Sequence, residues 1–281
     1  TQKLSAIDPL LIENTNPKSP LFRDWFEVLF CNFIIGIAIV CQPHIMTKSL
    51  MLKNPEKVNS YLFFAISAMI IFFLIVIAGL YARMMFPDLM HNGTKMRMDE
   101  IIPVYVVKRF SAAVGIVVIV GLISAGLSTL EGLIQSLSIT VTSDILEPIF
   151  GEKVSENGLV INKFVVVLLA IVSFYFSWNQ IKHPNLSVAI FGQMGVYGYF
   201  AAAFVPVLFG TFVKNVKSST VFIASIVAIL IHFGIFYLKL TPYMKGPVGN
   251  PGVSAAIAIV SSVIIAVFLH TLNKNKSNEL L

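Results

Sequence analysis

The sequence predicts an all-α integral membrane protein with about seven transmembrane helices. Three observations carry this prediction. Apolar residues make up 57% of the 281 positions and charged residues only 12%. The apolar residues are gathered in runs of the length a bilayer crossing requires. No hydrophilic stretch between the runs is long enough for a separate soluble domain. A soluble domain carries roughly 25% charged residues to keep its surface hydrated, whereas lipid demands an apolar exterior. The net charge of +6 is scattered through short connectors, not drawn into one basic stripe, which argues against nucleic acid as a partner.

Taken in order, the first run is Trp25 to about Gln42, followed by a connector with Lys48, Lys53 and Lys57. The second, Tyr61 to Tyr81, has no ionisable side chain between Leu62 and Leu80. A polar loop from Arg83 to Glu100 contains Asn92-Gly93, a turn signal. The third run begins near Pro103 and passes Thr129 towards Asp144, too long for one straight crossing, so it must tilt, bend or protrude. The fourth is Phe164 to Trp178, and the fifth is Leu186 to Val213 with Gly192, Gly195, Gly198 and Pro206. The sixth is Val221 to Leu238, and the seventh Val253 to Leu272. Lysine and arginine divide almost evenly between the two sides, so the positive-inside rule does not orient the bundle. No cleavable signal is visible: the first twenty residues are mixed and polar, and the chain opens as if within a loop. Cys31 and Cys41 lie ten residues apart, about 15 Å along a helix, beyond disulfide reach.

Ser128 and Thr129, well inside the third run, are two adjacent hydroxyls at membrane depth. Such oxygens suit a dehydrated sodium ion, and the Ala125 carbonyl lies one turn back on the same face. One helix cannot complete the coordination shell of a hard cation. The alternative is that both hydroxyls bond back to the preceding turn, or that they sit with Gly126 at a close helix contact. Glu131 is an ionisable group within a span and on roughly the same face. It marks either a functional interior or a helix already leaving the bilayer. Gln42-Pro43-His44 ends the first run, either as a plain terminus or as a break that frees carbonyls towards a cavity. His44 reads as interfacial. In the fifth run Gln193, Tyr197 and Tyr199 are polar-tipped, and the glycines serve either bending or close packing, with the tyrosines as interface anchors. His232 and Lys239 read as interfacial groups whose tips reach water.

Cys41-Gln42-Pro43-His44-Ile45, then Ser128-Thr129, then Thr142-Ser143-Asp144-Ile145 resemble, in this order and spacing, the sodium/solute symporter family. The likeness covers nearly all of residues 25 to 272 and is closest to the bacterial proline and pantothenate branch, which implies a multi-pass protein of the bacterial inner membrane. Members share ten core helices arranged as two inverted five-helix repeats, the leucine-transporter fold. The resemblance implies that residues 1–24 are a polar loop or the end of a missing upstream region. Residues 25–213 would be core helices six to ten, 214–272 two additional helices, and 273–281 a polar tail. It further implies sodium as the coupling ion, held by Ala125, Ser128 and Thr129 as the eighth-helix share of a site completed by the first core helix. That helix has no counterpart here, so the missing amino-terminal half is an expected partner beside the lipid bilayer and a small organic solute. Gln193 falls where relatives contact substrate, and Gln42 and Glu131 are further substrate or coupling candidates. Ile37 and Ala38 stand where sugar carriers place gate aromatics, which argues against a sugar. The expected function is sodium-coupled uptake by alternating access, with no enzymatic chemistry and no organic cofactor. Two rival readings are a solute-sensing module coupled to a signalling partner and a structural membrane subunit.

Overall fold

The computed structural model describes residues 2–42, 45–46, 52, 54–151, 154, 156–182, 188–246 and 248–278. The described residues are an all-α membrane protein: six helices are long and apolar enough to cross a bilayer, and Phe26–Cys41 is a shorter apolar helix. The chain divides into two compact units, Thr1–Gln42 with Val188–Leu281, and Pro43–Ser187.

In the first unit, a short helix α1 (Gln2–Ile7) precedes the Phe26–Cys41 segment. That segment winds as a π-helix over Phe26–Cys31, as α2 over Asn32–Ala38, and as a 3-10 turn over Ile39–Cys41. The first of the seven expected spans, Trp25 to about Gln42, is therefore met to within a residue at each end. Below the roughly 20 residues a straight crossing needs, its final turn tightens and Gln42 turns extended (φ −68°, ψ 130°). Pro43 and His44, the rest of that proposed break, lie outside the described residues, as does Leu186 at the start of the fifth run. Cys31 and Cys41 are both free and buried.

Three long helices complete this unit. They are α3 (Val188–Phe212), α4 (Ser218–Tyr237) and α5 (Pro251–Asn278). They pack on one another because each offers a stripe of small residues. Ala201 on α3, Ala228 on α4, and Ala255 and Ala258 on α5 are buried with Phe200, Ile259, Ile35 and Ala38. Small side chains let apolar helices approach where no hydrophobic force separates helix from lipid. Gly198 shows the same logic: a Cβ there would lie 2.9 Å from Cζ of Phe233 and 3.2 Å from Cδ2 of His232. Gly192 and Gly195 meet nothing within 4 Å, so close packing explains one of the three glycines. Pro206 is accommodated inside a continuous α3.

The second unit opens with α6 (Val58–Phe73) and α7 (Ile75–Met85), joined at Leu74. The Asn92-Gly93 turn is realised as a hairpin, β1 (Met90–His91) pairing with β2 (Thr94–Lys95). Both turn residues have positive φ (49° and 79°), as a two-residue hairpin turn demands. The third run differs from expectation. Instead of one helix from Pro103, α8 (Ile101–Arg109) stops at Phe110, which is extended (φ −102°, ψ 157°), and α9 (Ala112–Ile139) begins after Ser111. A π-helical turn over Thr140–Leu146 and the short α10 (Glu147–Phe150) extend it, and α11 (Gly158–Lys182) follows. Burial differs sharply among the spans. Half of the most apolar stretch of Pro251–Lys274 is buried, and none of that of Pro55–Met85.

Candidate functional site

Ala125, Ser128 and Thr129, the sodium candidates of the third run, lie on α9. Ser128 Oγ donates to the Ala125 carbonyl at 3.0 Å, and Thr129 Oγ1 donates to the same carbonyl at 2.9 Å. Each hydroxyl thus gives its one proton to the helix and keeps its lone pairs directed elsewhere. Three oxygens are gathered on one exposed turn. Among the described residues, a Cβ on Gly126 would meet nothing within 4 Å. The two hydroxyl bonds are those back to the preceding turn that the alternative reading expects; they leave the hydroxyl lone pairs free but occupy those of the Ala125 carbonyl, which accepts both. Glu131 is exposed on the same helix, which continues past it to Ile139.

Gln42 and Gln193 belong to the other unit. Gln42 is half-buried at the end of the first apolar segment, and Gln193 is half-buried on α3, next to Met194. The Met194 carbonyl accepts a hydrogen bond from Nε2 of His232 at 3.0 Å. His232 is fully buried, not an interfacial group as the sequence suggested. Because Nε2 must donate to a carbonyl, Nδ1 of the neutral ring is an acceptor, and Ser254 Oγ lies 3.1 Å from it. Its sequence signal was the stripe Ala224, Ala228, His232, all buried at four-residue spacing on α4. Lys239 is exposed beyond that helix. Tyr197, read as an interface anchor, packs against the core of α3, α4 and α5, whereas Tyr199 is exposed.

Sequence reasoning missed a second polar constellation, between the start of the first apolar segment and the α4–α5 connection. Glu27 is 1% exposed, the most buried acid among the described residues. Its Oε1 accepts from Arg23 Nη1 at 2.9 Å and from Asn250 Nδ2 at 3.1 Å, and its Oε2 accepts from the Arg23 backbone N–H at 2.6 Å. Arg23 Nη1 also donates to the Tyr243 carbonyl at 3.1 Å. The Tyr243 hydroxyl donates to Asp24 Oδ2 at 2.7 Å. Burial works against the charge of Asp24, but the Glu27 backbone N–H, the Tyr243 hydroxyl, the Phe26 N–H and Arg23 outweigh it and hold the carboxyl below the usual range. In return the bond to Asp24, aided by burial, pushes the Tyr243 phenol up to about 12. Arg23 pairs with Glu27 and hydrogen bonds hold Asp24, so the constellation ties the start of the first apolar segment to the α4–α5 connection. The signal for it was the Arg23…Glu27 pair at four-residue spacing, at the mouth of an apolar run.

Comparison with curated proteins and with solved structures gives no match. The profile of the sodium:solute symporter family matches residues 1–228, most of the chain, ending within α4. That family is one of transporters, with sodium as coupling ion and a solute as cargo. Six spans, an oxygen cluster in the middle of one of them and this match lead to one conclusion: the chain belongs to the sodium:solute symporter family.

Proposed function

We propose that this chain forms the second half of a sodium-coupled symporter of the proline/pantothenate-like branch, in a bacterial inner membrane, and works by alternating access. In this reading residues 25–213 are the second five-helix repeat and 214–272 two additional helices. The carrying observation is the convergence of Ala125 O, Ser128 Oγ and Thr129 Oγ1 on one exposed helical turn. The two back-bonds fix the hydroxyl rotamers, so their lone pairs are preorganised for a cation. Three oxygens are fewer than a hard cation takes; carbonyls of an upstream half complete the shell. Sodium bound there favours the outward-open arrangement only in so far as it binds that state more tightly than the inward-open one. Gln42 and Gln193 then line the solute path, with Glu131 beside the ion site as a coupling group.

The test is sodium-dependent uptake by the intact transporter carrying Ser128→Ala and Thr129→Ala together. Uptake is lost while membrane insertion and amount are retained. Unchanged uptake overturns the ion site and leaves the two hydroxyls as helix-bonding groups of a structural or sensing module.

A further inference from the structure

The unit that lacks Ser128 and Thr129 carries an open groove of about 850 Å³ between α3 and α4. Its walls are apolar, from Pro206, Phe209 and Phe222, and its mouth is polar, at Ser218 and Ser219 where α4 begins. The volume falls within the roughly 300–1,000 Å³ of small-molecule sites. The mouth is also cationic. Lys214 and Lys217, both exposed, lie in the connection from α3 to α4, next in sequence to the lining residues Val213, Val216 and Ser218. Lys217 Nζ donates to Asn273 Oδ1 at 3.2 Å, and Asn273 Nδ2 donates to Thr220 Oγ1 at 3.2 Å. These two bonds bring the end of α5, with the exposed Lys274, to the same rim. No aspartate or glutamate occurs between Val188 and Asn278, so no acidic side chain of these three helices neutralises the lysines.

We infer that this groove binds an anionic phospholipid of the surrounding bilayer, an acyl chain along Phe209 and Phe222 and the phosphodiester headgroup among Lys214, Lys217 and Lys274. The charge pattern selects the occupant. A zwitterionic lipid presents its own cation to the lysines, whereas an anionic headgroup neutralises them at the depth where apolar wall gives way to basic rim. A free anion gains nothing from the apolar walls.

The experiment is native mass spectrometry of the full chain, purified in detergent and stripped of lipid, with phosphatidylglycerol or phosphatidylcholine of matched chains. The wild type retains phosphatidylglycerol in preference. Lys214→Gln, Lys217→Gln and Lys274→Gln combined remove that preference, at about fivefold per lysine. Gly210→Leu puts a side chain into the groove from its wall, where a Cβ meets nothing within 4 Å, and it weakens phosphatidylglycerol binding with all lysines in place. This second variant keeps the test decisive where the triple variant fails to fold. Equal retention of both lipids by the wild type, or unchanged retention in Gly210→Leu, overturns the inference. So does displacement of the adduct by inorganic phosphate, which identifies a free-anion site. Because these readouts involve neither sodium nor uptake, they stand or fall apart from the ion site on α9.

Discussion

Tyr243 and Asp24 are joined by a 2.7 Å hydrogen bond across 219 positions of sequence. Beneath it lies the buried Arg23–Glu27 pair, at 2.9 Å and with the glutamate side chain fully enclosed. The two contacts differ in what their loss leaves behind. Arg23→Ala strands a carboxylate away from water, at a cost of about 3–5 kcal/mol. Tyr243→Phe removes one bond near the surface, at about 1 kcal/mol. Thermal unfolding in detergent should rank Arg23→Ala well below Tyr243→Phe; equal midpoints would show that Glu27 is not held by Arg23.

The same bond predicts a loss of stability in alkali. Tyr243 titrates at about 12 in the folded protein and near 10 when unfolded. Its folded value is raised, so the contribution is complete below about pH 10 and disappears as pH climbs towards the folded value. Asp24 has a lowered folded value, so its contribution holds above the ordinary carboxylate range and fades in acid. Unfolding midpoints followed across the alkaline window should fall more steeply for the wild type than for Tyr243→Phe.

Gly198 and Gly192 sit six residues apart on one helix and should respond oppositely to alanine. At 198 the new methyl meets the Phe233 ring at 2.9 Å, and overpacking of this kind costs about 1–3 kcal/mol. At 192 nothing lies within 4 Å, so the substitution gains helix propensity, up to about 1 kcal/mol. Comparing the two melting curves checks both signs in one experiment.

For the ion site, shape and chemistry can be separated at Thr129. Thr129→Val keeps the outline and removes the oxygen; Thr129→Ser keeps the oxygen. In the intact transporter, valine should raise the half-saturating sodium concentration by about tenfold or more, and serine should leave it close to wild type. Equal behaviour of the two variants excludes Thr129 Oγ1 as a ligand.

The spans, the hairpin at Asn92-Gly93 and the clustering of Ala125, Ser128 and Thr129 were legible in the sequence because each rests on neighbours within one or two turns. The break at Phe110–Ser111 was not, since neither a glycine nor a proline marks it; its only signals are the basic Lys108-Arg109 that ends one helix and Ser111 at the start of the next. His232 was misplaced because its partners, Met194 and Ser254, come from two other helices. Glu27 was overlooked for the same reason, with Asn250 and Tyr243 some 220 positions away. Local pattern reveals segments, and a buried polar group is understood only from what tertiary packing brings to it.

The reach of those bonds sets a timetable for the newborn chain. Arg23 cannot meet the Tyr243 carbonyl until 220 further residues have been added, which at about 5–20 residues per second takes roughly 10–45 s of synthesis. Throughout that interval Glu27 enters or skirts the translocation machinery without its distal partners. The first apolar segment of this sequence therefore gains these bonds only after Tyr243 has been added, and a truncation before Tyr243 leaves it without them.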